Sequence, residues 1–106
     1  MKWKYMDGKA AVPKLDSEWD EETGFFGRLR HGIFDQDGFQ RVINILELVD
    51  TSGEQLDSRF VSLTWFIPTF MEWQRVRVRE RGGTVHDLDH AQQVIIELLF
   101  KVLGTP

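Results

Sequence analysis

Asp37-Gly38-Phe39-Gln40-Arg41-Val42-Ile43-Asn44-Ile45-Leu46-Glu47-Leu48-Val49 is the stretch whose reading decides the fold class of this chain. Phe39, Val42, Ile43, Leu46 and Val49 recur at helical spacing and place one apolar stripe on one face. Asp37-Gly38-Phe39-Gln40 reads as a capping box that starts the helix, and the pattern runs out near Asp50-Thr51. Toward the C-terminus, Ser52-Gly53-Glu54-Gln55 repeats the capping-box pattern before Leu56, Phe60, Leu63 and Ile67, again on one helical face. Pro68 forces a kink or a break, because it lacks an N–H and crowds the preceding turn. The helix resumes from Thr69 to Arg81, closed by Gly82-Gly83 with Arg79 and Arg81 in its last turn. A strand alternative stays open here: Arg75-Val76-Arg77-Val78-Arg79 alternates with period two, and Phe60 to Ile67 is rich in β-branched and aromatic residues. Capping signals at both ends favour the helix. Asp87 is expected to cap a last helix bearing Leu88, Ala91, Ile95, Leu98, Leu99 and Val102, closed by Gly104 with Pro106 beyond.

Toward the N-terminus the pattern changes. Lys2-Trp3-Lys4-Tyr5 alternates polar and apolar, Asp7-Gly8 is a turn signal, and Lys9-Ala10-Ala11-Val12 can return as a second strand before Pro13. Ser17 is placed to cap a short helix through Glu18-Trp19-Asp20-Glu21-Glu22, with carboxylates in its first turn. Gly24 and Gly27 weaken its continuation, while Phe25, Phe26 and Leu29 need burial. The expectation is a mainly α fold, an irregular bundle of four or five helices that allows a short N-terminal β-hairpin, in a single domain over residues 1–106.

Composition bounds the function. The 106 residues suffice for one core, and 42% hydrophobic with 12% aromatic residues supplies it. No apolar run approaches the ~20 residues of a membrane span, mean hydropathy is -0.32, and Met1 to Met6 lacks a signal-peptide apolar stretch. The expected location is the cytoplasm, with no membrane partner. Cysteine is absent, which removes disulfides, thiolate metal clusters and cysteine nucleophiles. A net charge of -4 argues against direct nucleic-acid binding, which neutralises phosphates with Lys and Arg, and favours encounter with a basic partner.

Four groups are candidates for chemistry. His86-Asp87-Leu88-Asp89-His90 has two imidazoles at metal-ligand spacing, but Asp87 as N-cap leaves His86 outside the helix and Asp89 as a first-turn carboxylate. Arg75, Arg77, Arg79 and Arg81 would line one face of a strand, whereas on a helix they spread into a solvated basic surface. Phe60, Trp65, Phe66, Phe70 and Trp73, with Met71, have the spacing of core. Asp16-Ser17-Glu18-Trp19-Asp20-Glu21-Glu22 holds five carboxylates in seven residues around one Trp. That is the make-up of a binding anchor, the ring filling a pocket while the charges meet Lys or Arg. Asp35 and Asp37 extend this surface if they lie nearby, and serve equally well as caps. Neither a phosphate loop nor a nucleophile elbow occurs among the glycines and serines.

In size, acidity, irregular architecture and lack of motifs, the chain resembles the small immunity proteins that neutralise bacterial toxins, including those of contact-dependent growth inhibition. The resemblance implies an inhibitor rather than an enzyme, needing no cofactor or metal. Its partner would be a basic toxin domain, expected to be a nuclease, covered by Asp16, Glu18, Trp19, Asp20, Glu21, Glu22, Asp35 and Asp37. Two other classes remain open: a small metal-dependent hydrolase using His86, Asp87 and His90, and a regulatory subunit that self-associates through Phe25-Phe26 or Trp65.

Overall fold

A computed structural model describes residues 6–49 and 56–104, in which seven helical segments follow one another with no strand among them. Asp7 caps the first, α1 (Gly8–Ser17), by accepting a hydrogen bond from the Ala10 N–H at 2.7 Å. The turn signal Asp7-Gly8 is therefore a helix start, and Lys9 to Val12 are helical rather than a hairpin strand. The other half of that hairpin, Lys2 to Tyr5, lies outside the described residues. Met6 makes a lone parallel bridge to Val49 instead. Pro13 sits inside α1, and Ser17 ends the helix by donating its hydroxyl to the Pro13 carbonyl at 2.9 Å. Ser17 thus caps nothing: Glu18 to Thr23 form successive turns, not the expected acidic helix.

The short α2 (Phe25–Leu29) drives Phe25, Phe26 and Leu29 fully into the core. Next, α3 (Gln36–Leu48) follows the decisive stripe, burying Phe39, Val42, Ile43, Ile45 and Leu46. It begins before the expected Asp37 cap. Asp35 holds the cap position without a side-chain capping bond, because its carboxylate is turned to Arg28 and Arg41. The second capping box, Ser52 to Gln55, falls outside the described residues. Leu56 is non-helical, and Asp57 caps α4 (Ser58–Trp65) by accepting from the Arg59 and Phe60 N–H groups.

The region with two readings is helical throughout, but broken twice. Phe66 separates α4 from α5 (Ile67–Trp73), with Pro68 in the first turn where a missing N–H costs nothing. Gln74 separates α5 from α6 (Arg75–Glu80). Four or five expected helices become seven segments partly through these two breaks. The last helix, α7 (Val85–Leu103), is the longest and packs against α3, α4, α5 and α6. Its N-cap is Thr84, three residues before the expected Asp87 cap, and it closes as expected at Gly104, whose φ of 83° only glycine adopts readily. Leu88, Ala91, Ile95, Leu99 and Val102 of α7 meet Phe60, Ile67, Met71 and Val78 in one continuous core. No described helix is long and apolar enough to cross a membrane.

Candidate protein-binding surface

The acidic run lies between α1 and α2, and its carboxylates part ways according to what they touch. Glu18 points inward and is 5% exposed. One of its oxygens accepts the Phe25 N–H at 3.0 Å, and the pair receives Arg41 Nε at 2.8 Å and Arg41 Nη2 at 3.0 Å. This fork-on-carboxylate contact holds the Arg41 guanidinium above its ordinary pKa, with smaller help from the nearby Asp35 and Asp37 charges. Glu18 is therefore a brace between α2 and α3 and leaves the expected contact set.

Asp20 organises the turn itself. Its Oδ2 accepts from the Thr23 hydroxyl at 2.8 Å, the Thr23 N–H at 2.9 Å and the Glu22 N–H at 3.1 Å. The Thr23 hydroxyl, then the Thr23 and Glu22 N–H groups, pull its pKa below the ordinary aspartate value. Glycine makes the folding of this loop possible. A Cβ on Gly27 would lie 1.8 Å from the Asp20 carbonyl oxygen, and one on Gly24 would lie 2.3 Å from that of Glu18. The loop thus rests directly on the backbone of α2.

Trp19 is half-buried. Its ring stacks on Phe26 with centroids 4.5 Å apart, meets the edge of Phe70 at 4.8 Å, and carries the Arg30 guanidinium 5.6 Å from its centre. Its Nε1 is buried without an acceptor among the described residues. It is not a protruding anchor, because the Phe26 stack holds it against the core. What it forms instead is one wall of a shallow depression of about 510 Å³, shared with Asp16, Ser17, Asp20 and Thr23.

Asp35 and Asp37 do lie beside the run. Arg28 bonds the Glu22 carbonyl through Nε at 2.9 Å and Asp35 through Nη1 at 3.2 Å, while Arg41 reaches the Thr23 carbonyl at 3.1 Å. Asp35 is mostly covered by these arginines; Asp37 is exposed in the first turn of α3. At the surface Asp16 meets Arg59 at 3.4 Å and Glu21 meets His31 at 3.1 Å, both exposed pairs of small energetic value. The exposed acidic end consequently comprises Asp16, Asp20, Glu21, Glu22 and Asp37.

The histidine cluster is arranged differently from expectation. His86 and His90 both belong to α7, one turn apart and exposed, since Thr84 rather than Asp87 precedes the helix. Asp89 faces Arg75, whose Nη1 lies 2.9 Å from its Oδ1 without hydrogen-bond alignment. Among the described residues, no three His, Cys, Asp or Glu side chains gather as a metal-binding group.

A second surface was assigned to the core by its spacing. Phe60, Phe70 and Met71 are buried, but Trp65 and Trp73 are 62% and 63% exposed. Phe66 lies between them, with ring centroids 5.6 Å from Trp65 and 5.2 Å from Trp73. Trp65 also borders a groove of about 250 Å³ with Pro68, Ile96, Leu99, Phe100 and Leu103, where Phe100 is likewise largely exposed. The chain matches no known protein family, no curated protein and no solved structure.

Proposed function

We propose that this protein is an inhibitor of the immunity type, which binds and neutralises a basic toxin domain, a nuclease by expectation, and performs no chemistry of its own. One observation carries the reading: the fold gathers an acid-lined depression walled by Trp19, with Glu21, Glu22 and Asp37 exposed on the same end. The roles of ring and charge are reversed relative to the sequence reading. A Lys or Arg of the partner enters the depression between Asp16 and Asp20, and its stem lies against the indole. The surrounding carboxylates speed encounter and shield the partner's cationic substrate cleft.

The test is capture from an extract of the source organism with the wild-type chain and with a Glu21→Lys/Glu22→Lys/Asp37→Lys variant. All three side chains are exposed, and the one ion pair among them, Glu21 with His31, is a surface pair of small energetic value. The expected result is a basic nuclease, inhibited at equimolar wild-type protein, whose affinity drops at least about tenfold with the charge reversal and falls steeply with salt. A captured enzyme that binds the reversed variant equally well, with no salt dependence, refutes the assignment.

The exposed Trp65 and Trp73, bridged by the half-buried Phe66, favour a second reading, a regulatory subunit that self-associates. Exposed tryptophans of this extent are typical of contact surfaces. Sedimentation velocity over a dilution series reads it directly. On this reading wild type dimerises and Trp65→Ala/Trp73→Ala remains monomeric with an unchanged fold; a wild-type monomer at all concentrations removes it.

A further inference from the structure

On a helix Arg77 and Arg81 fall together at i, i+4, and here Arg77 of α6 and Arg81 at its C-cap converge with a third arginine from a distant part of the chain. Arg77 and Arg81, one turn apart, face Arg30 and His31 from the turn after α2 across a cleft of about 250 Å³, with Glu80 as its one acidic lining residue. Gly32 permits this approach. Its φ is 80°, and a Cβ there would lie 2.4 Å from the Arg77 carbonyl oxygen and 3.3 Å from the Arg81 Cβ. The 30–32 turn therefore packs onto α6 with no side chain between.

Two of the three guanidiniums are held in place by buried groups. Arg77 Nη1 donates to Gln74 Oε1 at 2.9 Å, and Gln74, only 3% exposed, is itself fixed by donating Nε2 to the Phe70 carbonyl at 3.1 Å. Arg30 lies over both the Trp19 and the Phe70 rings, each centroid 5.6 Å away. Both thus rest on the Phe70–Gln74 corner between α5 and α6. Among the described residues, no carboxylate pairs with Arg30, Arg77 or Arg81, although the chain as a whole is acidic and Arg28, Arg41, Arg59 and Arg75 all find partners. The Arg77, Val78 and Arg79 carbonyls near the end of α6 accept the Arg81, Gly83 and Gly82 N–H groups, and the guanidiniums must outweigh the negative end of this short helix.

We propose that this cleft is a binding site for a phosphate oxyanion, gripped by Arg30, Arg77 and Arg81, while His31 at its edge stays with Glu21 at 3.1 Å. Guanidinium groups suit this ligand because their planar donors match paired phosphate oxygens, and pre-positioning lowers the entropy lost on binding. The site shares no lining residue with the apolar Trp65 groove and does not require the proposed inhibitor role.

Titrating the full chain with inorganic pyrophosphate, inorganic phosphate and sulfate at constant ionic strength, read by backbone amide NMR, tests it. Saturable shifts centred on Arg30, His31, Gly32, Arg77 and Arg81 are expected, tighter for the phosphates than for sulfate. Arg81→Ala, which keeps the Cβ that lies by Gly32, should weaken binding at least about tenfold, Arg77→Lys should fail to preserve it, and Arg79→Ala should leave it unchanged. Thermal unfolding of each variant verifies the fold. Shifts that rise linearly without saturation, equal response to sulfate, or equal loss in Arg79→Ala and Arg81→Ala overturn the proposal.

Discussion

Glu18→Ala should be among the most damaging single changes at the acidic end, although its neighbours in sequence are expendable for stability. The substitution leaves the Phe25 N–H buried without its acceptor, which costs about 1–3 kcal/mol. It also removes both bonds to Arg41, whose guanidinium side is nearly half exposed, so this part is discounted to about 1 kcal/mol for solvent screening. The combined loss is about 3 kcal/mol, or roughly 15 °C in the melting temperature of a domain this size. Glu18→Gln keeps an acceptor for Phe25 without the charge, and should lose about half as much.

A double-mutant cycle isolates the brace. Arg41→Ala alone strands a buried carboxylate and should cost about 2 kcal/mol once water enters the space it leaves. Once Glu18 is gone, removing Arg41 should cost little more, giving a coupling energy of about 1–2 kcal/mol. Chemical denaturation of the four proteins measures it. A Glu18→Ala loss below about 0.5 kcal/mol, or strict additivity with Arg41→Ala, would falsify the claim that this pair ties α2 to α3.

Asp20 should titrate below the ordinary aspartate range. Because its folded pKa is depressed, its contribution to stability is fully present above the unfolded value of 3.8 and is lost as pH falls through the folded value. Thr23→Val removes the largest cause and should move the Asp20 carboxylate resonance titration upward; an unmoved titration contradicts the bonding described. Gly27→Ala should destabilise by about 3 kcal/mol through backbone displacement of the 20–23 turn, since no flexible side chain can give way there. A melting temperature within about 2 °C of wild type would show that the loop does not rest on α2.

The decisive stripe at Phe39 to Val49 was legible because its information is local: period, cap and length all point to a helix. The same kind of signal misplaced the starts of α3 and α7 by two and three residues, since Asp37 and Asp87 are good caps whose competitors, Asp35 and Thr84, sit just upstream. Asp35 won its position through Arg28 and Arg41, and those contacts are invisible to local spacing. The hairpin expectation failed at Asp7-Gly8, where an aspartate that suits a turn serves equally as an N-cap once Ala10 offers its N–H.

For the candidate surface, spacing located the acidic run but could not sort its members. Glu18, Glu21 and Glu22 are chemically near-identical on paper; what separates them is Arg41, 23 residues further along the chain from Glu18. The clue available was the pair Gly24 and Gly27, which weaken a helix but are also required where two backbone segments touch.

The aromatic belt shows the complementary limit. Phe60, Ile67, Phe70 and Met71 form one apolar stripe of the broken α4–α5 rod and face the core. Trp65 and Trp73, eight residues apart, form a second stripe on the outer side, joined by Phe66. Helical periodicity detects both stripes and cannot say which is buried, because each alone satisfies it. A helix that is apolar on two sides can bury only one of them in a core made from a single small chain. The second must either face water, at a cost in solubility that the net charge of -4 helps to offset, or meet another surface. Core packing therefore explains the first stripe completely and, of the second, the half-buried Phe66 but neither tryptophan.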